Sequence, residues 1–174
     1  MHFIPSGELL GATTRIRTLT IKDAPGLPDG EYAFVDSYCG DLTCDCRKVM
    51  IQVHHNQRVV SMINYGWESA AFYSTWYGAQ IDEHTLAAMQ GPGMDITSPD
   101  LVSPTAMLNF FIAILDDNYR EHFRTQYQRF KQALIAKATL ESKAASGLGG
   151  NRQRNAPCPC GSGRKFKVCC GRGG

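Results

Sequence analysis

Apolar and polar side chains alternate in four segments of the first 65 residues, which is the pattern of half-buried β-strands. These segments cover residues 13–21, 31–38, 48–54 and 58–65. A stretch rich in Pro and Gly at 25–30 separates the first two, and residues 55–57 form a turn between the last two. We therefore predict an antiparallel meander.

A helical period follows in the second half of the chain. It begins at Ser103-Pro104, a capping residue followed by proline at the first helical position. Apolar side chains then recur every three or four residues, at Leu108, Phe111, Ile112, Leu115, Tyr119, Phe123, Tyr127, Phe130 and Leu134. This stripe predicts one long helix of about 30 residues that packs on the sheet. The alternative is that its second half, residues 119–134, forms a homodimer or partner contact.

Two segments between the strands and the long helix have less regular patterns, and the composition changes after the long helix. Residues 67–77 are aromatic-rich and ambiguous, while 82–89 predict a short helix that stops at Gly91. From Ala136 the apolar stripe ends and small polar residues dominate, with Gly147, Gly149 and Gly150 as helix breakers. We expect a flexible tether there.

Composition and charge place the chain among globular proteins with a basic tail. It has 174 residues, of which 43% are hydrophobic and 20% charged. The net charge of +2 combines a charge of −4 on residues 1–150 with +6 on 151–174, where the cations are Arg152, Arg154, Arg164, Lys165, Lys167 and Arg172. The longest apolar run, residues 110–115, is far below the roughly 20 residues of a membrane span. Without a secretory signal pattern, we expect a cytoplasmic protein.

Four cysteines close the chain, at positions 158, 160, 169 and 170. Four thiolates suit a tetrahedral zinc ion and leave no coordination position open. Cys169 and Cys170 are adjacent, with Cα atoms about 3.8 Å apart, so a disulfide between them is strained. Gly161 and Gly163 allow the tight turn that brings the two thiol pairs together.

The segment 155–171, Asn-Ala-Pro-Cys-Pro-Cys-Gly-Ser-Gly-Arg-Lys-Phe-Lys-Val-Cys-Cys-Gly, resembles the SEC-C motif of the SecA translocase. The resemblance implies that Cys158, Cys160, Cys169 and Cys170 bind zinc, with iron as a competitor. It also implies a docking role, since in SecA the motif contacts the chaperone SecB and is implicated in ribosome or lipid contacts. It does not imply the ATPase, because the chain has no phosphate-binding loop sequence.

A second cluster, Cys39, Cys44 and Cys46, lies between the second and third predicted strands. The alternatives are buried inert thiols, a structural metal site, and a redox or catalytic metal site. The nearest histidines in sequence are His54 and His55, but if residues 47–54 run away from the loop as a strand, His54 lies about 26 Å from Cys46, which argues against both. Other candidates for the fourth ligand are Asp36, Asp41, Asp45, His84, His122 and water.

Together these patterns predict an α+β fold in which a small antiparallel sheet packs on one long C-terminal helix, followed by a flexible tether and a zinc knuckle. The predicted domains are 1–135, a linker at 136–154 and the metal motif at 155–174. The predicted function is a zinc-binding cytoplasmic adaptor that docks onto an acidic protein or the ribosome through Arg164, Lys165, Phe166 and Lys167. The alternative is a metal-dependent or redox enzyme centred on the second cluster. No catalytic residue is assigned.

Overall fold

The structure, a computed structural model, describes residues 2–11, 14, 16–78, 80–99, 101–148, 155–158 and 160–170. Its strands are β1 (Phe3–Pro5), β2 (Arg17–Ile21), β3 (Gly30–Cys39), β4 (Lys48–His55), β5 (Arg58–Gly66) and β6 (Gly93–Met94). Its helices are α1 (Ser6–Leu10), α2 (Ala70–Tyr77), α3 (Glu83–Gln90), α4 (Pro104–Ile114) and α5 (Asp117–Leu148), with a 3₁₀ turn at Phe166–Val168. Within these described residues no helix is both long and apolar enough to cross a membrane.

The six strands form one antiparallel sheet in the order β1-β3-β4-β5-β6, and β2 also pairs with β3. The meander β3-β4-β5 is therefore confirmed. Its second hairpin is closed by Asn56 and Gln57, whose φ angles of 50° and 62° are both positive. Positive φ at both central residues is the feature of the type I′ turn, whose twist matches that of the strands.

One face of the sheet carries the core, against α4 and α5. Because side chains alternate along a strand, Tyr32, Phe34 and Tyr38 of β3 share this face, and each is completely buried. Phe111 of α4 lies 6.4 Å from Phe34 between ring centroids, and Phe130 of α5 lies 5.5 Å from Tyr38. The predicted α+β arrangement of a small antiparallel sheet and a long helix is confirmed.

The prediction of a single helix from residue 104 is wrong, because the chain breaks between α4 and α5. Leu115 ends α4, and the Asp116 carboxylate accepts a hydrogen bond of 2.7 Å from the Tyr119 backbone N–H. Asp116 is therefore the N-cap of a new helix. The spacing of the apolar residues does not reveal the break, because Leu115 before it and Tyr119 after it are four residues apart, as they would be in one continuous helix.

The apolar stripe of α5 belongs to the core. Tyr119, Phe123, Tyr127 and Phe130 are all at most 8% exposed. These side chains pack in the same hydrophobic core as the buried residues of the sheet. They are therefore not accessible for the homodimer or partner contact that was the alternative prediction for this stripe.

The α5 helix also runs further than predicted, to Leu148, so residues 136–148 of the predicted tether are helical. The stretch 136–145 is rich in Ala, Lys, Leu and Glu, the best helix formers. The loss of the apolar stripe therefore does not mark the end of the helix. Residues 149–154 of the predicted tether lie outside the described residues. The chain divides into two compact units, Met1–Leu134 and Ile135–Gly174.

Candidate metal centres

The tail folds back on itself around its cysteines. Pro157 and Lys165 form an antiparallel bridge. The Cys158 N–H donates to the Arg164 carbonyl at 2.7 Å, and the Phe166 N–H donates to the Ala156 carbonyl at 2.8 Å. Between the two arms, Gly161 and Gly163 have φ angles of 76° and 68°, in the left-handed region that glycine adopts at no steric cost. The turn predicted from these glycines is therefore present.

This hairpin brings the four tail thiols together. All four Sγ atoms lie within 4.8 Å of one another. The Cys160 Sγ is 3.3 Å from that of Cys158 and 3.4 Å from that of Cys169, and Cys169 and Cys170 are 4.0 Å apart. A tetrahedral ion with metal–sulfur bonds of about 2.3 Å separates its sulfurs by about 3.8 Å. The spacing therefore fits a four-thiolate metal ion.

Two of the tail thiols have pKa values that their neighbours shift in opposite directions. The Ser162 hydroxyl and N–H, with Cys158 and Cys169, lower the pKa of Cys160 to about 6. Hydrogen bonds with Cys158, Cys160 and Cys169 raise the pKa of Cys170 to about 12. Cys160 therefore ionises at lower pH than Cys170, which keeps its proton beside the other sulfurs. A divalent cation bound to both sulfurs would offset their negative charge and favour the thiolate form of both.

The basic residues between the ligand pairs are at the surface. Arg164, Lys165 and Lys167 are exposed, whereas Phe166 is half-buried. Phe166 begins the 3₁₀ turn and its backbone holds the two arms together, so it has a structural contact as well as the predicted docking role. The other predicted cations of the tail, Arg152, Arg154 and Arg172, lie outside the described residues.

The second cluster forms where β3 turns back to β4. Cys39 ends β3, and Cys46 lies two residues before β4. In the loop between them, the Asp41 carboxylate accepts hydrogen bonds of 2.8 Å from both the N–H and the hydroxyl of Thr43. The Sγ atoms of Cys39, Cys44 and Cys46 lie within 4.8 Å of one another, so the structure brings together all three predicted residues.

The three body thiols differ in burial. Cys39 and Cys46 are buried, at 1% and 0% exposure, while Cys44 is half-buried. Burial, with the neighbouring Cys44 and Cys39, raises the pKa of Cys46 to about 12. Burial also raises the pKa of Cys44, and Cys39 adds to the effect. Without a bound cation, the thiol form of Cys44 and Cys46 is therefore favoured.

Helix α5 contributes residues to this loop that the sequence analysis missed. The Lys131 amine donates to the Cys39 carbonyl at 3.4 Å and to the Asp41 carbonyl at 2.5 Å. The Tyr127 hydroxyl donates to the Asp45 carboxylate at 3.0 Å. No local pattern connects these residues to a loop more than 80 positions earlier, although Lys131 is a charged residue beside the apolar stripe.

Arg47 anchors the other end of the loop. Its guanidinium pairs with Asp45 at 3.0 Å and with Glu68 at 3.2 Å, and it stacks 4.6 Å from the centre of the Phe72 ring. Its carbonyl accepts a hydrogen bond of 2.9 Å from the Tyr73 hydroxyl. Its φ of 46° is left-handed, a conformation that a residue with a side chain seldom adopts. These contacts maintain the strained backbone beside Cys46.

The candidate fourth ligands are placed elsewhere or have other partners. His122 Nε2 lies 3.4 Å from the buried Asp36 carboxylate, which also accepts from the Tyr38 hydroxyl at 3.0 Å. His55 stacks on Tyr32. His84 lies on α3 and His54 contacts Gln52. Among the described residues, no His or carboxylate lies close enough to join the three body thiols.

Comparisons with known proteins agree with the tail geometry. The family model described as the SEC-C motif matches residues 154–172. Protein translocase subunit SecA of Pelotomaculum thermopropionicum is 38% identical over 73 residues, 37% of this chain and 8% of that protein. SecA of Sulfurovum sp. is 45% identical over 47 residues, 27% and 5% of the two chains.

A shorter match falls on a different kind of protein. The uncharacterized protein YccF of Bacillus subtilis is 73% identical over 22 residues, 13% of this chain and 6% of that protein. The chain thus spans less than a tenth of the length of these curated relatives. No solved structure matches. The four-thiol hairpin and the family match lead to one conclusion: this chain carries at residues 154–172 a SEC-C motif, a metal-binding motif that is also found in SecA.

Proposed function

We propose that the tail holds zinc through Cys158, Cys160, Cys169 and Cys170, and that the zinc-bound tail docks the protein onto an acidic protein partner in the cytoplasm. The observation that carries this proposal is the four-thiol cluster, whose Sγ atoms all lie within 4.8 Å of one another. Four protein thiolates close a zinc site, so the metal shapes a surface and has no position for a substrate.

Zinc fits this ligand set better than the harder divalent cations. Thiolates are soft ligands that select zinc or iron–sulfur clusters, whereas magnesium and calcium prefer oxygen. The hairpin offers four sulfur ligands close enough together for one tetrahedral ion. It offers no carboxylate, since residues 151–174 contain neither Asp nor Glu. Iron competes with zinc for the same four thiolates. Identifying the metal bound to the protein purified without chelator distinguishes zinc from iron.

The charge of the tail supports an acidic partner. Arg164, Lys165 and Lys167 are exposed on the segment between the two ligand pairs. Holding this segment in one conformation lowers the entropy lost on docking. SecA proteins share the motif, which supports a partner connected with protein export or nascent chains.

The test uses the full chain, purified without chelator and immobilised for capture of partners from lysate. A charge-reversal variant replaces Arg164, Lys165 and Lys167 with Glu, and a matched control reverses three exposed cations of the remaining chain, Lys22, Arg58 and Lys137. We expect the tail variant to lose a protein partner that the wild type and the control retain, with metal content unchanged.

Salt dependence separates a protein partner from the ribosome. Binding to RNA phosphates weakens with salt in proportion to the number of phosphates neutralised, with a slope of log affinity on log salt near one per phosphate. We expect a shallower slope. Equal recovery of the same partners by the tail variant and the wild type contradicts the docking proposal, and a steep slope with recovered ribosomal RNA assigns the tail to the ribosome.

A further inference from the structure

The cluster of Cys39, Cys44 and Cys46 lies outside the SEC-C motif, and the proposed function does not use it. Cys39 ends a central strand and Cys46 precedes the next, so the loop between them brings three thiols to one point. A buried free cysteine ordinarily packs as a small apolar side chain. Here the three Sγ atoms lie within 4.8 Å of one another, the separation that a shared metal ion requires.

The chain closes this loop with contacts that hold the ligands in position. Lys131 of α5 donates to the carbonyls of Cys39 and Asp41, and Tyr127 donates to the Asp45 carboxylate. The contacts come from a helix whose adjacent side chains are buried in the core, so the loop is attached to a rigid element. Such outer contacts orient metal ligands and are a regular part of metal sites.

Charge also favours a cation at this point. Three thiolates and a divalent ion leave a net charge of −1, and the amine of Lys131 lies against the carbonyl of Cys39 at 3.4 Å. The guanidinium of Arg47 follows directly after Cys46 and is paired with Asp45 and Glu68. One guanidinium offsets only one of these two carboxylates, so the surroundings keep negative charge that favours a cation, and the nearby Lys131 amine offsets part of the charge of the metal–thiolate group.

The cluster offers three ligand atoms, which would leave one position open on a four-coordinate ion. Asp41 accepts from Thr43, and Asp45 is paired with Arg47, so the carboxylates of the loop have other partners. Within the described part of the chain no other Cys, His, Asp or Glu joins the cluster. Of the three thiols only Cys44 is partly exposed, so small molecules reach the cluster on the Cys44 side.

We propose that Cys39, Cys44 and Cys46 bind a second thiophilic divalent cation of the zinc class, with the fourth coordination position taken by an exchangeable small ligand, water or a thiol. The two centres then differ in kind. The tail has four protein thiolates and a closed shell, whereas the body has three and an open position, which is the arrangement that lets a site exchange ligands.

The experiment isolates the body site within the full chain. Cys158, Cys160, Cys169 and Cys170 are replaced with Ser, and an unchanged thermal transition verifies that the body is folded. The protein is loaded with zinc under reducing conditions, and X-ray absorption measures the coordination shell. We expect one equivalent of zinc with three sulfurs at about 2.3 Å and one oxygen or nitrogen at about 2.0 Å.

Ligand exchange and two further variants complete the test. In the cobalt-loaded protein, imidazole or a small thiol is expected to shift the visible absorption bands, because it replaces the fourth ligand. Cys44→Ser is expected to weaken metal binding by at least about tenfold. Since Cys44 is only half-buried, this change disturbs the core less than a change at Cys46. Leu42→Ala, at an exposed position of the same loop, is expected to bind as before.

Three results overturn the proposal: a folded, reduced body that binds no zinc or cobalt, a shell of four protein ligands whose spectrum ignores added ligand, or equal metal affinity after Cys44→Ser. Because the tail thiols are absent from every variant, none of these results bears on the tail. Conversely, loss of the docking function after charge reversal in the tail leaves this proposal unaffected.

Discussion

Loss of one tail ligand is expected to unfold the tail and leave the body intact. In the full chain, Cys169→Ser removes one of the four clustered thiols. Among the described tail side chains only Cys158 is buried, while Phe166 is half-buried and Val168 is 44% exposed. The tail therefore lacks an apolar core that could keep it folded without metal.

The magnitude follows from the hydrogen bonds of the tail. Five backbone hydrogen bonds connect its described residues, and each contributes about 1 kcal/mol. Fixing the backbone from Ala156 to Cys170 costs at least about 15 kcal/mol, at about 1 kcal/mol or more per residue. The shortfall of about 10 kcal/mol is of the size that coordination of zinc supplies, on the order of 10 to 16 kcal/mol in four-ligand peptides.

Amide NMR spectra of the full chain measure the result. We expect the resonances of residues 155–170 to lose their dispersion in Cys169→Ser and in the chelated wild type, while those of β3, β4 and β5 keep theirs in the variant. Lys167→Ala is the matched control, since Lys167 is an exposed residue between the ligand pairs that does not belong to the ligand set. Dispersed tail resonances in the metal-free variant would refute the reasoning.

Two further predictions concern the body. Burial raises the pKa of Asp95, but hydrogen bonds from Thr97 and Asn64 outweigh this and lower it below its ordinary value. Its contribution to stability is therefore present above the unfolded-state pKa and lost as the pH falls through the folded-state pKa. Asp95→Asn is expected to lower the free energy of unfolding by about 1 kcal/mol at pH 7, after allowance for solvent screening. Denaturation measured over a series of pH values should show this difference between variant and wild type vanish in acid. A difference that does not depend on pH contradicts the prediction. A chain that ends after Leu148 is expected to keep the thermal transition of the body, and a large fall in melting temperature would show that the tail stabilises it.

The strands and the tail hairpin were predictable because their determinants are local. Alternation of side chains located β3, β4 and β5 to within about one residue, and the Asn56-Gln57 turn lies between them. In the tail, the thiol spacing and two glycines indicate the turn that places the ligands together, since the hairpin is a local structure.

The helices were less predictable, since periodicity reports burial and not helix ends. The break at Asp116 depends on a side-chain cap. The spacing of apolar residues does not reveal it, because the same period continues on both sides of Asp116. The extension to Leu148 depends on intrinsic propensity after burial has ended. A capping residue in mid-stripe and an Ala- and Lys-rich continuation were the signals available.

The sequence by itself indicated the two thiol clusters, because the cysteines of each lie within thirteen positions, a distance that one local turn spans. Only the tertiary structure decided what surrounds the body cluster. Packing of α5 on the sheet brings Tyr127 and Lys131 to a loop more than 80 residues away, and it gives Asp45 the Tyr127 hydroxyl as a partner. The physical reason is that side chains of a helix reach a distant loop only when burial of its apolar face positions it there, and no local pattern encodes that pairing.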